Sequence, residues 1–188
     1  MCYSYAFSAV KNNDKMAVLL SVMERKYPGA YKTGDIFPGD TVPAILARQG
    51  KILAVPAIFG FPGFQNGRLL INARGETAAE KKSFADSMKE RRILLPATGF
   101  YEFDGKKTRY QFSTDASSVF YLCGLYRIVD GNCRFVILTR AANESMIEIH
   151  DRMPVIIEED QVRPYLTDPD AAAEIIATAA PKLNREKA

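Results

Sequence analysis

The chain has 188 residues, 47% hydrophobic and 25% charged, the balance of a globular protein long enough to bury a real core in one domain. Its net charge of +3 permits an acidic partner such as nucleic acid without demanding one. No apolar run is long enough to span a membrane and no charged-then-apolar leader opens the chain, so a cytoplasmic protein with no membrane partner is expected.

Neither repeats nor low-complexity segments interrupt the sequence. Asn13 to Lys26 reads as a helix, with Met16, Leu19, Leu20 and Met23 on one face and Pro28-Gly29 ending it. Val42 to Ala47 and Ile52 to Phe59 read as strands joined around Gln49-Gly50. Thr77-Ala78-Ala79-Glu80 has the form of a capping box opening a helix to about Glu90, with Phe84 and Met88 as its buried pair. Ile93 to Phe103 is extended, and Asp104-Gly105 predicts a tight turn into a strand from Thr108 to Ser113. Val119 to Val129 and Cys133 to Thr139 are apolar strands joined by Asp130-Gly131. Asn143 predicts a cap for a short helix ending near His150, Pro154 to Ile157 another strand, and Asp168-Pro169 the start of a last helix. The fold class that follows is α+β: mostly antiparallel sheet, barrel-like, with scattered helices. The domain spans 1–188, with a frayed tail from about residue 183.

Three cysteines cannot close a disulfide framework. Cys123 and Cys133 lie in apolar runs and read as core; Cys2 does not. An initiator Met is removed when a small residue follows, which would leave Cys2 with an α-amine and a thiol on adjacent carbons. Such an aminothiol condenses with an aldehyde, the amine giving a Schiff base and the thiol closing a thiazolidine. Its amine has an ordinary pKa of about 8 and its thiol of about 8.5. A cysteine in a loose terminus has the same sequence signature.

Three further segments carry candidate chemistry. Asn72 and Arg74 alternate just before the expected capping box, where Asn offers directed hydrogen bonds and Arg can clamp a phosphate or carboxylate; a loop entering a helix explains them equally. Glu76 and Thr77 fit helix initiation without another role. Glu102 sits between Tyr101 and Phe103 on a strand; buried, it is a usable general acid or base, and outward-facing, a solvated carboxylate. His150, the sole histidine, is a structural residue or the base for a Cys2 nucleophile. One His leaves few metal ligands, and neither metal nor cofactor is expected. Basic residues cluster at Lys81-Lys82, Lys89, Arg91-Arg92, Lys106-Lys107 and Arg109.

Taken in order, these segments resemble the SOS-response-associated peptidase (SRAP) family. The resemblance runs from Cys2 through Leu166. It rests on Asn72-Ala73-Arg74-x-Glu76-Thr77, the Pro-Ala-x-Gly-Phe-Tyr-Glu run ending at Glu102, Cys123-Gly124-Leu125-Tyr126, Ile137-Leu138-Thr139 followed by Ala142-Asn143, and His150-x-Arg152-Met153-Pro154. It implies covalent capture of abasic sites in single-stranded DNA, with a lyase-like side to the chemistry and an autopeptidase activity that removes Met1 to expose the nucleophile. A monomer is expected. Carried over, Cys2 is the nucleophile, Asn72 orients its amine, and Glu102 and His150 are acid–base groups. Arg74 holds a phosphate, and Thr139 lines the pocket.

Two departures stand out. The family usually opens Cys-Gly-Arg-Phe, and here the run is Cys2-Tyr3-Ser4-Tyr5. The chain has no Trp, and Phe59-Gly60-Phe61 replaces a Trp-Gly-Leu-like run; Phe59 and Phe61 are expected to stack on bases, which is worth about 1–3 kcal/mol per base for aromatic platforms. The readings outside this family are a cysteine peptidase or amidohydrolase acting on peptides with His150 as base, and a non-catalytic binding domain.

Overall fold

A computed structural model of the chain describes residues 2–8, 13–63, 67–114, 118–178 and 180–188. The first strand, β1 (Ser4–Phe7), is buried along its length. Asn13 then caps α1 (Asp14–Lys26), its side chain accepting from the Met16 amide at 3.1 Å, and Met16, Leu19 and Met23 face the core. After β2 (Gly34–Ile36), the hairpin of β3 (Thr41–Arg48) and β4 (Lys51–Phe59) turns through Gln49 and Gly50, at φ 52° and 73°. Two positive φ values make this the primed turn whose twist matches the strands. Two short strands, β5 (Phe61–Pro62) and β6 (Leu69–Leu70), pair with each other and lead to β7 (Asn72–Arg74).

Two short helices follow, α2 (Gly75–Ala78) and α3 (Ala85–Glu90). The sheet resumes with β8 (Arg92–Ala97), β9 (Gly99–Phe103) and β10 (Arg109–Thr114). The long hairpin of β11 (Phe120–Val129) and β12 (Asn132–Ala141) turns at Asp130-Gly131, again with both φ values positive. After β13 (Arg152–Pro154) and β14 (Ile156–Ile157) come a 3-10 turn at Glu159–Gln161, α4 (Val162–Thr167), α5 (Pro169–Ala177) and β15 (Leu183–Lys187). Asp168 caps α5 ahead of its N1 proline.

Strands β12, β4, β3, β8 and β11 close into a ring, because β11 pairs back onto β12. That ring is antiparallel except where β12 lies parallel to β4 and, further along, to β7. A second, antiparallel sheet runs β15-β10-β9-β1-β2 and packs on the ring through β1 against β8. Gly124 is a glycine for a steric reason. A Cβ there would lie 2.6 Å from the Val136 carbonyl oxygen on the paired strand. The core is aromatic: Phe59 stacks on Phe135 at 5.0 Å, and Phe100 on Phe112 at 5.1 Å. No described helix is long and apolar enough to cross a membrane.

Five expectations are corrected. Thr77 opens no long helix: it lies inside the one-turn α2, Arg74 holds the cap position, and the chain turns through Lys81 before α3 begins at Ala85, with Phe84 in its cap position. The β9–β10 connection is a loop rather than a two-residue turn. Asp104 organises it by accepting from the Lys106 and Thr108 amides, both at 2.8 Å, and the positive φ falls on Lys107. Asn143 caps a run of turns, not a helix. The strand expected at Pro154 to Ile157 breaks at Val155, which bonds through its amide to Leu138 on β12 and through its carbonyl to Cys123 on β11. The tail from Leu183 is not frayed: it pairs with β10 from Thr114 to Tyr110.

Candidate functional site

Cys2 stands immediately before β1 and is fully buried. Its thiol donates to the Ser4 carbonyl at 3.8 Å, and its own carbonyl accepts from Asn72 Nδ2 at 3.0 Å. Burial first, and the Glu102 charge second, push the thiol pKa far up, so the sulfur is protonated at neutral pH. The Asn72 side chain is held because β7 lies alongside β12, with Asn72 opposite Ile137. Its Oδ1 is buried and has no hydrogen-bond partner among the described residues. An unpaired buried acceptor next to a thiol is a place where a bound ligand could supply the missing donor.

Glu102 comes from β9, the strand hydrogen-bonded to β1. It is buried, and one carboxylate oxygen accepts from the Phe103 amide at 3.2 Å. Of the two readings of its alternation pattern, burial is the one realised. Cys2 therefore has a carboxylate within electrostatic reach on one side and the Asn72 amide on another.

Asn72, Arg74, Thr139, His150, Asp151 and Arg152 line a cleft of about 210 Å³. Cys2 and Glu102 are not in its wall; Asn72, which is, donates to the Cys2 carbonyl. Arg74 is exposed and makes no ion pair among the described residues, so its guanidinium is available to an anion. Thr139 is buried, and its hydroxyl bridges the Ala73 carbonyl and the Arg152 guanidinium. His150 Nδ1 lies 2.9 Å from the Arg152 amide and 3.0 Å from an Asp151 carboxylate oxygen. Neutral, it accepts from the amide; protonated, it donates to the carboxylate. Both partners sit on Nδ1, which leaves Nε2 for the cleft.

The Arg152 guanidinium organises the cleft wall. It grips Glu76 with both nitrogens, at 2.6 and 2.8 Å, and donates to the Thr139 carbonyl at 2.7 Å. This fork ties the His150 segment to the end of β7. The bond to Arg152 brings Glu76 down from 4.5 to about 2, well below the usual carboxylate range. Glu76 therefore has a role beyond the helix start assigned to it from its sequence position. A pairing across 76 positions leaves no periodic trace, and the recurrence of both residues inside the quoted motifs was the available signal.

Three other expectations fail. Phe59 is fully buried between Phe135 and Tyr5, and Phe61 packs on Phe84 under the Arg127 guanidinium. Neither offers a free face for a base. Arg92 is no surface member of the basic cluster at Arg91-Arg92: it is buried, with its nitrogens on the carbonyls of Met88, Lys89, Tyr165 and Leu166, where it ties the end of α3 to α4. Tyr5, not singled out from the sequence, has a fully buried hydroxyl with no partner among the described residues. Met1 lies outside the described residues. No cluster of three His, Cys, Asp or Glu that could hold a metal occurs among the described residues.

The chain is similar to abasic site processing protein YobE of Bacillus subtilis, 38% identical over 117 residues that cover 55% of this chain and 53% of YobE. It is 27% identical over 194 residues to abasic site processing protein YedK of Escherichia coli, covering 96% and 86%. The chain thus spans about half the length of the Bacillus relatives it matches. Among solved structures, a protein from Bacteroides thetaiotaomicron superposes with a TM-score of 0.77 at 19% identity, covering 99% of this chain and 91% of that one. A phage-related protein from Bordetella bronchiseptica gives 0.75 at 21% identity, covering 100% and 94%. These two share the fold. The family model for SOS response associated peptidase (SRAP) matches residues 1–187, nearly the whole length, and the chain belongs to that family.

Proposed function

We propose that the protein processes abasic sites in DNA, and that it does so by covalent capture in single strands through Cys2. The observation that carries the reading is the placement of Cys2: its backbone held by Asn72, its thiol within the field of the buried Glu102, and the Asn72 side chain forming the wall of a cleft that Arg74 and His150 share. Relatives named for abasic site processing support the substrate class.

Removal of Met1 frees the Cys2 amine; an acylated nitrogen has its lone pair delocalised and cannot add to an aldehyde. The amine attacks the ring-opened sugar aldehyde, and water leaves to give a Schiff base. The thiol then adds to the same carbon and closes the thiazolidine. Asn72 orients the amine, and Glu102 and His150 Nε2 move the protons. Arg74 holds a phosphate beside the lesion, and Thr139 fixes the wall through Arg152. Glu102 also assists thiol attack on the Met1 carbonyl, the autopeptidase step.

The test is incubation with an oligonucleotide carrying an abasic site, followed by a denaturing gel. A slow-migrating adduct is expected from the wild type and none from Cys2→Ala. Peptide turnover without an adduct would refute the reading in favour of a peptidase.

A further inference from the structure

The strand that follows Cys2 is held by few backbone pairings. β1 has four residues, and its register with β2 and with β9 covers three pairs each. A short strand near a chain terminus is where fraying starts. A side-chain bridge reinforces it. Asp35 of β2 stands opposite Ala6, and Tyr101 of β9 stands opposite Ser4. β1 lies between β2 and β9 in the sheet, yet the Tyr101 hydroxyl donates to Asp35 Oδ1 at 2.7 Å. The bond therefore crosses over β1, on the face that Ser4 and Ala6 share. Both are small enough to lie beneath it, with Ser4 2% and Ala6 5% exposed.

Arg109 of β10 closes the bridge from the far side. Its guanidinium lies over the Tyr101 ring, 3.7 Å from the centroid, and donates to Asp35 Oδ2 at 3.3 Å. The cluster joins β2, β9 and β10, with β1 held under it. The Arg109–Asp35 ion pair is open to water, at 32% and 44% exposure, where such pairs contribute little. Tyr101 is 7% exposed, so its hydroxyl bond is the stronger tie. Burial first, and the bond to Asp35 second, raise the phenol pKa above its ordinary value, so the donor keeps its proton at neutral pH.

We propose that Tyr101 is a positioning residue: its bond to Asp35 straps β1 into the sheet and so fixes Cys2 against Asn72 and Glu102. This rests on the Cys2 reading given above. The path from strap to thiol is short. Cys2 directly precedes β1, its thiol donates to the Ser4 carbonyl, and Ser4 is the residue paired with Tyr101. Glu102 follows Tyr101 on β9, so the strap also sets the spacing between the carboxylate and the strand that carries the thiol. Tyr101 itself touches no reacting atom. Displacing a reacting group by about 1 Å can slow a reaction by as much as ~100-fold, so the strap acts on the rate of capture, not on affinity for the DNA strand.

The experiment compares wild type with Tyr101→Phe, Asp35→Ala and Asp35→Asn. Phe removes the hydroxyl and keeps the ring under Arg109; Asn keeps an acceptor for the hydroxyl and gives up the ion pair. Amide hydrogen exchange across β1 is followed by mass spectrometry, and capture of an abasic oligonucleotide is measured against its concentration. In Tyr101→Phe and Asp35→Ala, β1 should exchange roughly tenfold faster and capture at saturation should be roughly tenfold slower, with the half-saturating concentration unchanged. Asp35→Asn should match the wild type in both. Unaltered exchange in Tyr101→Phe overturns the proposal, as does an Asp35→Asn that behaves like Asp35→Ala. A lower thermal midpoint with wild-type capture at saturation also overturns it, because the bond is then structural only. So does a change confined to the half-saturating concentration, which would put Tyr101 in strand binding. If the wild type forms no adduct, faster β1 exchange in Tyr101→Phe and Asp35→Ala but not in Asp35→Asn upholds the strap and refutes the abasic-site reading instead.

Discussion

The Glu76–Arg152 fork gives a measurable link between the cleft and the stability of the fold. Glu76 falls from 4.5 to about 2, which at about 1.4 kcal/mol per unit would be worth ~3 kcal/mol if the pair were dry. The Arg152 side chain is 16% exposed but that of Glu76 is 46% exposed. Solvent screening therefore cuts the contribution to about 1 kcal/mol, the upper end for an exposed pair, as suits a two-pronged contact. The pKa of Glu76 is lower in the folded chain than in the unfolded one. Its contribution is therefore complete above about pH 4.5 and lost as pH falls toward about 2. Urea unfolding of wild type and Glu76→Gln at neutral pH, and at steps down through that window, should show a gap of about 1 kcal/mol that closes with acid. High salt should narrow it too. The variant should also capture abasic DNA more slowly, because Arg152 no longer ties the His150 segment to β7. Equal stability at neutral pH, or a gap unchanged below pH 3, would refute the assignment.

Other consequences are quicker to check. Cys2→Ala removes a fully buried sulfur, so it should cost about 1 kcal/mol in urea unfolding besides abolishing capture; an unchanged midpoint would mean Cys2 is not packed as described. Arg74→Ala should leave stability alone, weaken binding of intact single strands, and lower the slope of log K against log salt by about 1. An unchanged salt slope would remove Arg74 from the phosphate path. Gly124→Ala should destabilise by about 1–3 kcal/mol, since its methyl would meet the Val136 carbonyl oxygen at 2.6 Å, and a neutral thermal midpoint would show that β11 and β12 can part.

What the sequence discloses about this fold is local, and what it conceals is pairing over long separations. Gln49-Gly50, Asp130-Gly131, Asn13 and Asp168-Pro169 each declare a turn or a cap, because their chemistry acts on the backbone within a few residues. The β12–β4 and β12–β7 pairings are invisible in any window, although they close the ring and place Asn72. The tail strand Leu183–Lys187 has one apolar residue in five and no alternation; its order comes from the edge of β10. Phe59 and Phe61 were misplaced because an aromatic–Gly–aromatic run has the same look beside a base or inside a core. The sequence singles out Cys2, Asn72, Arg74, Glu102, Thr139 and His150 by residue type, whereas the fork between Arg152 and Glu76 leaves no local trace, since it joins two elements far apart in the chain.

Burial of the thiol imposes an order on the proposed chemistry. A sulfur held protonated by burial and by the Glu102 carboxylate is a poor first nucleophile, since the thiolate is the reactive form. The amine must add first. Once it has, the imine carries a positive charge on the atom two bonds from the Cys2 β-carbon, and that charge favours the thiolate that Glu102 had opposed. In the proposed capture of an aldehyde, the sulfur would become reactive only once the amine has bound the carbon it must attack. Electrophiles that the amine has not captured meet a neutral thiol. In the proposed reaction the carboxylate that opposes the free thiolate would also receive its proton at ring closure, so one buried charge would serve both restraint and catalysis.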